Sequence, residues 1–120
     1  MAKILIVDDS PTVQALLVRL LTTNGYECST ANDGDKGYQA AKDEKPDLIL
    51  MDVVMGAHNG FQTCRKIKKD PAIGHIPVVL ITSKTTESDR FWGEQMGASA
   101  YLHKPVEPDE LLKTIQRLLP

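Results

Sequence analysis

Short apolar runs alternate with amphipathic stretches of helical length along the whole chain, and this alternation limits its possible folds more than any other feature. The apolar runs predict five strands, which are Lys3–Val7, Glu27–Ala31, Asp47–Asp52, Pro77–Thr82 and Ser99–His103. The stretches between and after them predict five helices, at about residues 11–23, 35–44, 61–70, 87–96 and 108–119. Strands that alternate with helices form a parallel sheet with helices on both faces and right-handed crossovers. We therefore predict a single doubly wound (βα)5 domain of the α/β class.

The first predicted helix has recognisable ends and one apolar stripe. Ser10 suits the N-cap, Pro11 suits the first helical position, and Asn24-Gly25 suits the end. The apolar residues between them recur at intervals of three and four, which predicts a stripe facing the sheet. They are Val13, Leu16, Leu17, Leu20 and Leu21. In the third strand, residues 48–51 are continuously apolar, which is typical of a central strand buried on both faces.

The composition excludes several classes of protein. A length of 120 residues with 42% hydrophobic residues suits one domain that carries the whole function. The net charge of −2, with both signs interspersed, provides no basic face for direct binding of nucleic acid or an anionic membrane surface. No apolar run approaches the ~20 residues that cross a membrane, and no secretory signal opens the chain. We therefore predict a cytoplasmic protein.

The cysteines and histidines show no metal-ligand spacing. Cys28 and Cys64 are far apart and form no C-x-x-C motif, so both are interpreted as reduced packing residues. His58, His75 and His103 are scattered and are interpreted as surface or loop residues.

Polar residues gather where the predicted strands end. Asp8 and Asp9 follow the first strand, and Asp52 ends the third. Thr82 ends the fourth strand, and Lys104 follows the fifth. Open parallel sheets bind ligands beyond these carboxyl ends, at the point where the strand order reverses. A single aspartate there is most simply a cap or turn residue, but three together indicate a site.

The residue types at these positions predict a phosphoryl site. Neighbouring carboxylates repel one another unless a cation joins them, and Mg²⁺ accepts a few carboxylates, a carbonyl group and several waters. Lys104 does not suit a site for a metal alone, because its ammonium group would repel the ion. It suits a site that also holds an anion, such as a phosphoryl group carried by an aspartate and contacted by the metal, Lys104 and the Thr82 hydroxyl.

These residues resemble the receiver domain of two-component response regulators, the CheY-like family, over essentially the whole chain. The motif residues, in the order and approximate spacing of the family, are Asp8-Asp9, Asp52, Thr82, Tyr101 and Lys104-Pro105. The resemblance implies the flavodoxin-like strand order 2-1-3-4-5 and a receiver domain over residues 1–120 with no output domain. Further segments resemble the PilH-type regulators of twitching motility. They are Phe91-Trp92-Gly93, Gly97-Ala98, Tyr101-Leu102, Lys104-Pro105-Val106 and the run at residues 111–115.

The resemblance implies a role for each site residue. Asp52 would accept the phosphoryl group from a sensor histidine kinase or a small phosphodonor, so the chain would be a phosphoacceptor and not a turnover enzyme. Thr82 and Lys104 would contact the phosphoryl oxygens, and the peptide between Lys104 and Pro105 would be cis. Asp9, Asp52 and the backbone carbonyl of Val54 would bind Mg²⁺ or Mn²⁺ directly, and Asp8 would bind it directly or through water.

The resemblance also implies an output. Tyr101 would turn inward as Thr82 moves toward the phosphoryl group, and a surface made by the fourth helix, the fifth strand and the fifth helix would bind a downstream protein. Its contacts would be Phe91, Trp92, Met96 and Tyr101, although the spacing of Trp92 and Met96 is equally typical of core packing. The protein would be a monomer or a weak phosphorylation-dependent dimer.

One segment departs from the family pattern. The family commonly has Met-Pro shortly after the acceptor aspartate, whereas here Met55 is followed by Gly56-Ala57. Glycine leaves φ free where proline would fix it, so we expect a more mobile loop beside Asp52. A changed metal affinity or phosphoryl lifetime would follow.

Four alternatives share parts of this pattern. A phosphate sink would use the same site without an output of its own. A flavodoxin-like flavin binder needs phosphate-friendly donors after the first strand, where Asp8-Asp9 stands. A phosphatase of the haloacid dehalogenase type needs D-x-D there, which is absent. A pseudo-receiver scaffold is disfavoured because no acceptor, metal or lysine position is missing.

Overall fold

Five parallel strands form the central sheet. The computed structural model describes residues 1–55, 58–83, 91 and 94–119. Within these ranges the sheet strands are β1 (Lys3–Val7), β2 (Glu27–Ala31), β3 (Leu48–Asp52), β4 (Val78–Thr82) and β5 (Ala100–His103). They lie in the order β2-β1-β3-β4-β5, and each neighbouring pair is parallel. The predicted strand order is confirmed, and the order reverses between β1 and β3.

The observed strand bounds differ from the predicted ones only in the first residues of three strands. β3, β4 and β5 each begin one residue later than predicted. The residues before β3 and β5 still bond to neighbouring strands through their backbones. The N–H of Asp47 donates to the Lys3 carbonyl and the N–H of Ser99 donates to the Val78 carbonyl, each at 2.8 Å.

Helices cover both faces of the sheet. Those within the described ranges are α1 (Pro11–Thr23), α2 (Gly34–Glu44), α3 (Gly60–Lys69) and α4 (Pro108–Leu118). Helix α4 thus corresponds to the fifth predicted helix, at about residues 108–119. The predicted helix at about residues 87–96 falls largely outside those ranges, although Phe91, Glu94 and Gln95 are helical. Among the described residues, no helix combines the length and apolar character that a membrane span requires.

The ends of α1 form as predicted. Ser10 Oγ accepts a hydrogen bond from the N–H of Val13 at 3.3 Å, and Pro11 is the first helical residue. After the C-cap at Asn24, Gly25 has a φ of +89°, in the left-handed region that favours glycine.

The apolar stripe of α1 is narrower than predicted. Leu17 and Leu21 are buried at its centre, but Leu16 is 64% exposed, so the prediction that Leu16 faces the sheet is wrong. Consecutive helical residues point about 100° apart, which puts Leu16 on the flank of the stripe. There it borders a groove that is also lined by Pro105 and Val106.

The sheet buries one apolar core on each face. Helices α2 and α3 cover the face that includes Leu5 and Ile49, and α1 and α4 cover the face that includes Ile4 and Leu50. Residues 48–51 are at most 1% exposed, which confirms the predicted central strand. Burying a side chain such as Leu or Ile contributes about 1.5–3 kcal/mol relative to leaving it in water.

The cysteines pack as predicted. Both are free thiols, with Cys64 fully buried in the core under α2 and α3 and Cys28 partly buried against the opposite core. Burial raises the pKa of Cys64 to about 11, so this thiol stays protonated at neutral pH. His75 and His103 are exposed, as predicted for surface residues.

The segment after β3 forms a short hairpin. Val54–Met55 pairs antiparallel with His58–Asn59, and α3 begins at the next residue, Gly60. Gly56 and Ala57, where the chain departs from the family pattern, lie outside the described residues. The expected mobility of this loop stays a prediction.

Candidate functional site

Three aspartates meet beyond the ends of β1 and β3, where the strand order reverses. Asp8 and Asp9 follow β1, and Asp52 is the last residue of β3. Asp8 is 3% exposed and Asp52 is 6% exposed, whereas Asp9 is open to solvent. One carboxylate oxygen from each of the three lies within 4.8 Å of the other two. The structure thus brings the predicted carboxylates into one acidic pocket, with Asp9 on its solvent side.

Hydrogen bonds connect Asp8 to the start of α1 and to the end of β2. Its Oδ1 accepts the N–H of Ser10 at 2.9 Å, and its own N–H donates to the Ala31 carbonyl at 3.0 Å. Gln14 Nε2 donates to the backbone carbonyls of Asp8 (2.5 Å) and Ala31 (3.2 Å). Gln14 was not identified from the sequence, because a polar residue beside an apolar stripe carries no signal of contact with strand ends.

Lys104 reaches the pocket from the end of β5. Its Nζ donates to Asp8 Oδ2 at 3.2 Å and lies 3.3 Å from Asp52 Oδ1. Its backbone N–H donates to the Thr82 carbonyl at 2.8 Å, and its peptide bond to Pro105 is cis, as the resemblance implies. The ammonium group therefore bridges the two buried carboxylates.

The surroundings of the acidic pocket shift the pKa values of Asp52 and Lys104. Burial and the Asp8 carboxylate raise the pKa of Asp52, and the Lys104 cation and the Val54 N–H offset this rise only in part. Burial lowers the pKa of Lys104, but the Asp52 and Asp8 carboxylates outweigh burial and the net shift is upward. One ammonium group thus leaves repulsion among the carboxylates, which a bound cation would relieve.

The donor set of the acidic pocket fits a hard divalent cation. Carboxylate oxygens suit Mg²⁺ and Mn²⁺, and the exposed Asp9 leaves room for coordinated water. Val54 lies two residues after Asp52, and its backbone N–H hydrogen-bonds to the Asp52 carboxylate while its side chain is 50% exposed. The described residues therefore include an acidic cluster that could hold a metal ion.

Gly60 lets the start of α3 lie against β3. A Cβ on Gly60 would overlap the carbonyl oxygen of Asp52 and would lie 2.8 Å from the Cα of Val53. The Gly60 N–H donates to the Val53 carbonyl at 2.7 Å, and the Asn59 side chain caps the helix by accepting the N–H of Phe61 at 2.7 Å. From the sequence, Asn59-Gly60 marks only the end of a loop, since a close approach between segments is a property of the fold.

Thr82 and Tyr101 lie on neighbouring strands. Thr82 is fully buried at the end of β4. Tyr101 in β5 is partly buried against the core under α2 and α3. Its ring stacks on that of Phe61, with the ring centroids 6.5 Å apart and an interplanar angle of 16°.

The predicted partner surface is described in part. Phe91 is 55% exposed, whereas Met96 is partly buried against the same core as Tyr101, so packing accounts for much of Met96. Trp92 lies outside the described residues. A groove of about 620 Å³ between β5 and α4 is lined by Tyr101 and by charged residues of α4, among them Glu110.

Residues 4–116 match the family model of the response regulator receiver domain. The chain belongs to this family. It is 47% identical to protein PilH of Pseudomonas aeruginosa over 119 residues, which cover 99% of this chain and 98% of PilH. As a receiver-domain response regulator, the protein is a signalling protein that accepts a phosphoryl group from a histidine kinase.

Solved receiver domains share its fold. The chemotaxis protein CheY4 of Vibrio cholerae is 34% identical, with a TM-score of 0.93 over 99% of each chain. The receiver domain of the sensor histidine kinase PA1611 from Pseudomonas aeruginosa is 29% identical, with a TM-score of 0.89 over 98% of this chain and 96% of that one. The PA1611 structure has a magnesium ion coordinated in its active site cleft.

Proposed function

We propose that Asp52 accepts the phosphoryl group, in a site where Asp8, Asp9, Asp52 and the Val54 carbonyl hold Mg²⁺ or Mn²⁺. The observation that carries the proposal is the position of Lys104 Nζ, 3.2 Å from Asp8 and 3.3 Å from Asp52. A cation between two buried carboxylates stabilises additional negative charge at the same place. The magnesium ion in the cleft of the similar PA1611 receiver domain supports the choice of metal.

Transfer to Asp52 is a displacement at phosphorus. A carboxylate oxygen of Asp52 forms a bond to the phosphorus of a phosphohistidine while the P–N bond breaks. The imidazole leaves with that electron pair and takes up a proton, and the products are an aspartyl phosphate and a neutral histidine. When bound, the metal supplies positive charge beside the transferring oxygens. The buried position of Asp52 at the end of β3 holds the attacking carboxylate in place.

Lys104 and Thr82 would bind the phosphoryl oxygens. Lys104 Nζ already lies 3.3 Å from Asp52, so a small rotation of its side chain would transfer its contact from Asp8 to a new oxygen. Asp52 is paired with Ile81 across β3 and β4, and Thr82 is the next residue along β4. An ammonium group and a hydroxyl group would thus stabilise the charge of the transition state and of the product.

The output of phosphorylation is a changed protein-binding surface around β5, α4 and Phe91. The exposed Phe91 and the groove between β5 and α4 support this placement. Tyr101 lies at the border of that groove and of the core, where a change of its rotamer would alter the surface. The downstream partner is a protein, and the regulator is a monomer or a weak phosphorylation-dependent dimer. The identity of 47% with PilH supports a role in twitching motility.

Intact mass spectrometry tests the acceptor directly. The protein is incubated with Mg²⁺ and acetyl phosphate or a phosphorylated kinase, in parallel with Asp52→Ala and Asp47→Asn. Wild type should gain one phosphoryl group through an acid-stable, base-labile bond, and Asp52→Ala should gain none. Asp47→Asn is the matched control, because Asp47 is an exposed carboxylate just before the opposite end of β3.

The control should be phosphorylated like wild type. A base-labile adduct of equal amount in Asp52→Ala would contradict the assignment of the acceptor, and absence of any adduct in wild type would contradict the proposed phosphorylation itself.

A further inference from the structure

Hydrogen bonds tie the chain segment after Asp52 to the neighbouring strand β4 and to the start of α3. The Val53 N–H donates to the Ile81 carbonyl at 3.1 Å, and the Gly60 N–H donates to the Val53 carbonyl at 2.7 Å. Gly60 has no room for a Cβ beside the Asp52 carbonyl oxygen. Because α3 begins at Gly60, these contacts connect the backbone at Asp52 directly to the first turn of α3.

Phe61 carries an aromatic ring from this first turn to β5. The ring stacks on Tyr101 with the centroids 6.5 Å apart and the planes 16° apart, within the range of favourable aromatic pairs. Both rings are partly buried against the core under α2 and α3. Tyr101 is paired with Leu80 in the sheet, so its ring shares the face of Leu80. Thr82, two residues further along β4, points to that same face.

We propose that Phe61 is a positioning residue that couples the backbone at Asp52 to Tyr101, in parallel with Thr82. This inference rests on the proposed phosphorylation of Asp52. When the phosphoryl group and its contacts move the chain at Asp52, Gly60 and Phe61 move with it, and the stacked ring of Tyr101 follows. Two routes then lead from the acidic pocket to β5, one through the Thr82 hydroxyl and one through the start of α3.

Tyrosine NMR separates this coupling from phosphorylation. The chain has three tyrosines, so the ring signals of protein labelled with ¹³C-tyrosine can be assigned by substitution. Wild type and Phe61→Leu are compared before and after addition of Mg²⁺ and acetyl phosphate, and intact mass gives the fraction phosphorylated. At equal phosphorylated fraction, the change in the Tyr101 signal should fall to about half or less in Phe61→Leu, because one of two routes is lost. Phe61→Tyr keeps a ring and should keep the wild-type response.

Tyr26→Leu is the matched control, since it removes a partly buried aromatic ring from the opposite face of the sheet. It should leave the Tyr101 response unchanged. If phosphorylation changes the Tyr101 signal in Phe61→Leu as much as in wild type, the proposed coupling is wrong. That result would not contradict the phosphorylation of Asp52. An absent adduct in wild type would instead refute the proposed function. If Phe61→Leu does not fold, Phe61→Met is judged by the same criterion.

Discussion

At the scale of single residues, Lys104 is the centre of the acidic pocket. Its ammonium group lies 3.2 Å from Asp8 and 3.3 Å from Asp52, and its backbone N–H is bonded to the Thr82 carbonyl. One side chain thus contacts both buried carboxylates, and its backbone extends the pairing of β4 and β5. We expect its removal to affect the structural response to phosphorylation more than phosphorylation itself, because Asp52 and the proposed metal ligands remain in place.

Lys104→Ala tests this expectation. The variant should still form the aspartyl phosphate, because the acceptor and the metal ligands are intact, but phosphorylation should no longer change the structure around β5. Intact mass measures the first effect, and hydrogen exchange of β5 with and without acetyl phosphate measures the second. Lys36→Ala, which removes an exposed lysine of α2, should behave like wild type in both. A normal exchange response in Lys104→Ala would refute the signalling role of Lys104.

At the scale of elements, α2 and α3 are joined by a polar cluster outside the acidic pocket. The Tyr38 hydroxyl donates to Asp70 Oδ2 at 2.5 Å, and Lys42 Nζ lies 3.2 Å from the same oxygen. The Lys66 ammonium group lies 4.2 Å from the centroid of the Tyr38 ring. The hydrogen bond from Tyr38, the N–H of Ala72 and the Lys42 cation hold the pKa of Asp70 at about 2.

This cluster should make stability depend on pH in acid. The pKa of Asp70 is about 2 in the folded protein against an ordinary value of 3.8, so ionised Asp70 stabilises the fold above pH ~4. The contribution is lost as the pH falls through about 2. In Tyr38→Phe the pKa of Asp70 should rise toward 3.8. The variant should therefore be less stable than wild type at pH 7, by a margin that shrinks in acid.

Urea unfolding of wild type and Tyr38→Phe at pH 7 and near pH 2 measures this margin. Tyr26→Phe removes a hydroxyl group from the other face of the sheet and should show no such dependence on pH. An equal loss of unfolding free energy at both pH values would show that Tyr38 does not act through the ionisation of Asp70.

At the scale of the whole molecule, the acidic pocket should link stability to the metal. A ligand that binds only the folded state stabilises it by RT ln(1 + [L]/Kd), so Mg²⁺ should raise the midpoint of thermal unfolding. Asp9→Asn should lose most of this rise. Without Mg²⁺ it should be at least as stable as wild type, because one of three mutually repelling carboxylates is gone.

Thermal unfolding with and without Mg²⁺ checks both expectations. Asp43→Asn removes an exposed carboxylate of α2 with the same change in net charge, and it should keep the full effect of Mg²⁺. If Mg²⁺ raises the unfolding midpoint of Asp9→Asn as much as that of wild type, Asp9 does not belong to the metal site.

The candidate site shows which functional residues can be predicted from local sequence patterns and which cannot. Asp8, Asp9, Asp52, Thr82 and Lys104 could be placed on one rim because strand ends follow from hydrophobic periodicity, and parallel strands bring those ends to one edge. The hydrogen bonds of Gln14 and the close approach of Gly60 to Asp52 could not be predicted in this way. Their contacts depend on how closely α1 and α3 approach the strands, which is set by packing.

By itself, the sequence determined the order of strands and helices, the caps of α1, the central position of β3 and the gathering of polar residues at one edge. Each of these depends on residues that are near one another along the chain. Only the tertiary structure decided that Lys104 Nζ bridges Asp8 and Asp52, that Leu16 faces solvent and that Phe61 stacks on Tyr101. Lys104 and Asp8 are 96 residues apart, and no local pattern specifies a distance between segments that meet only when both cores are packed.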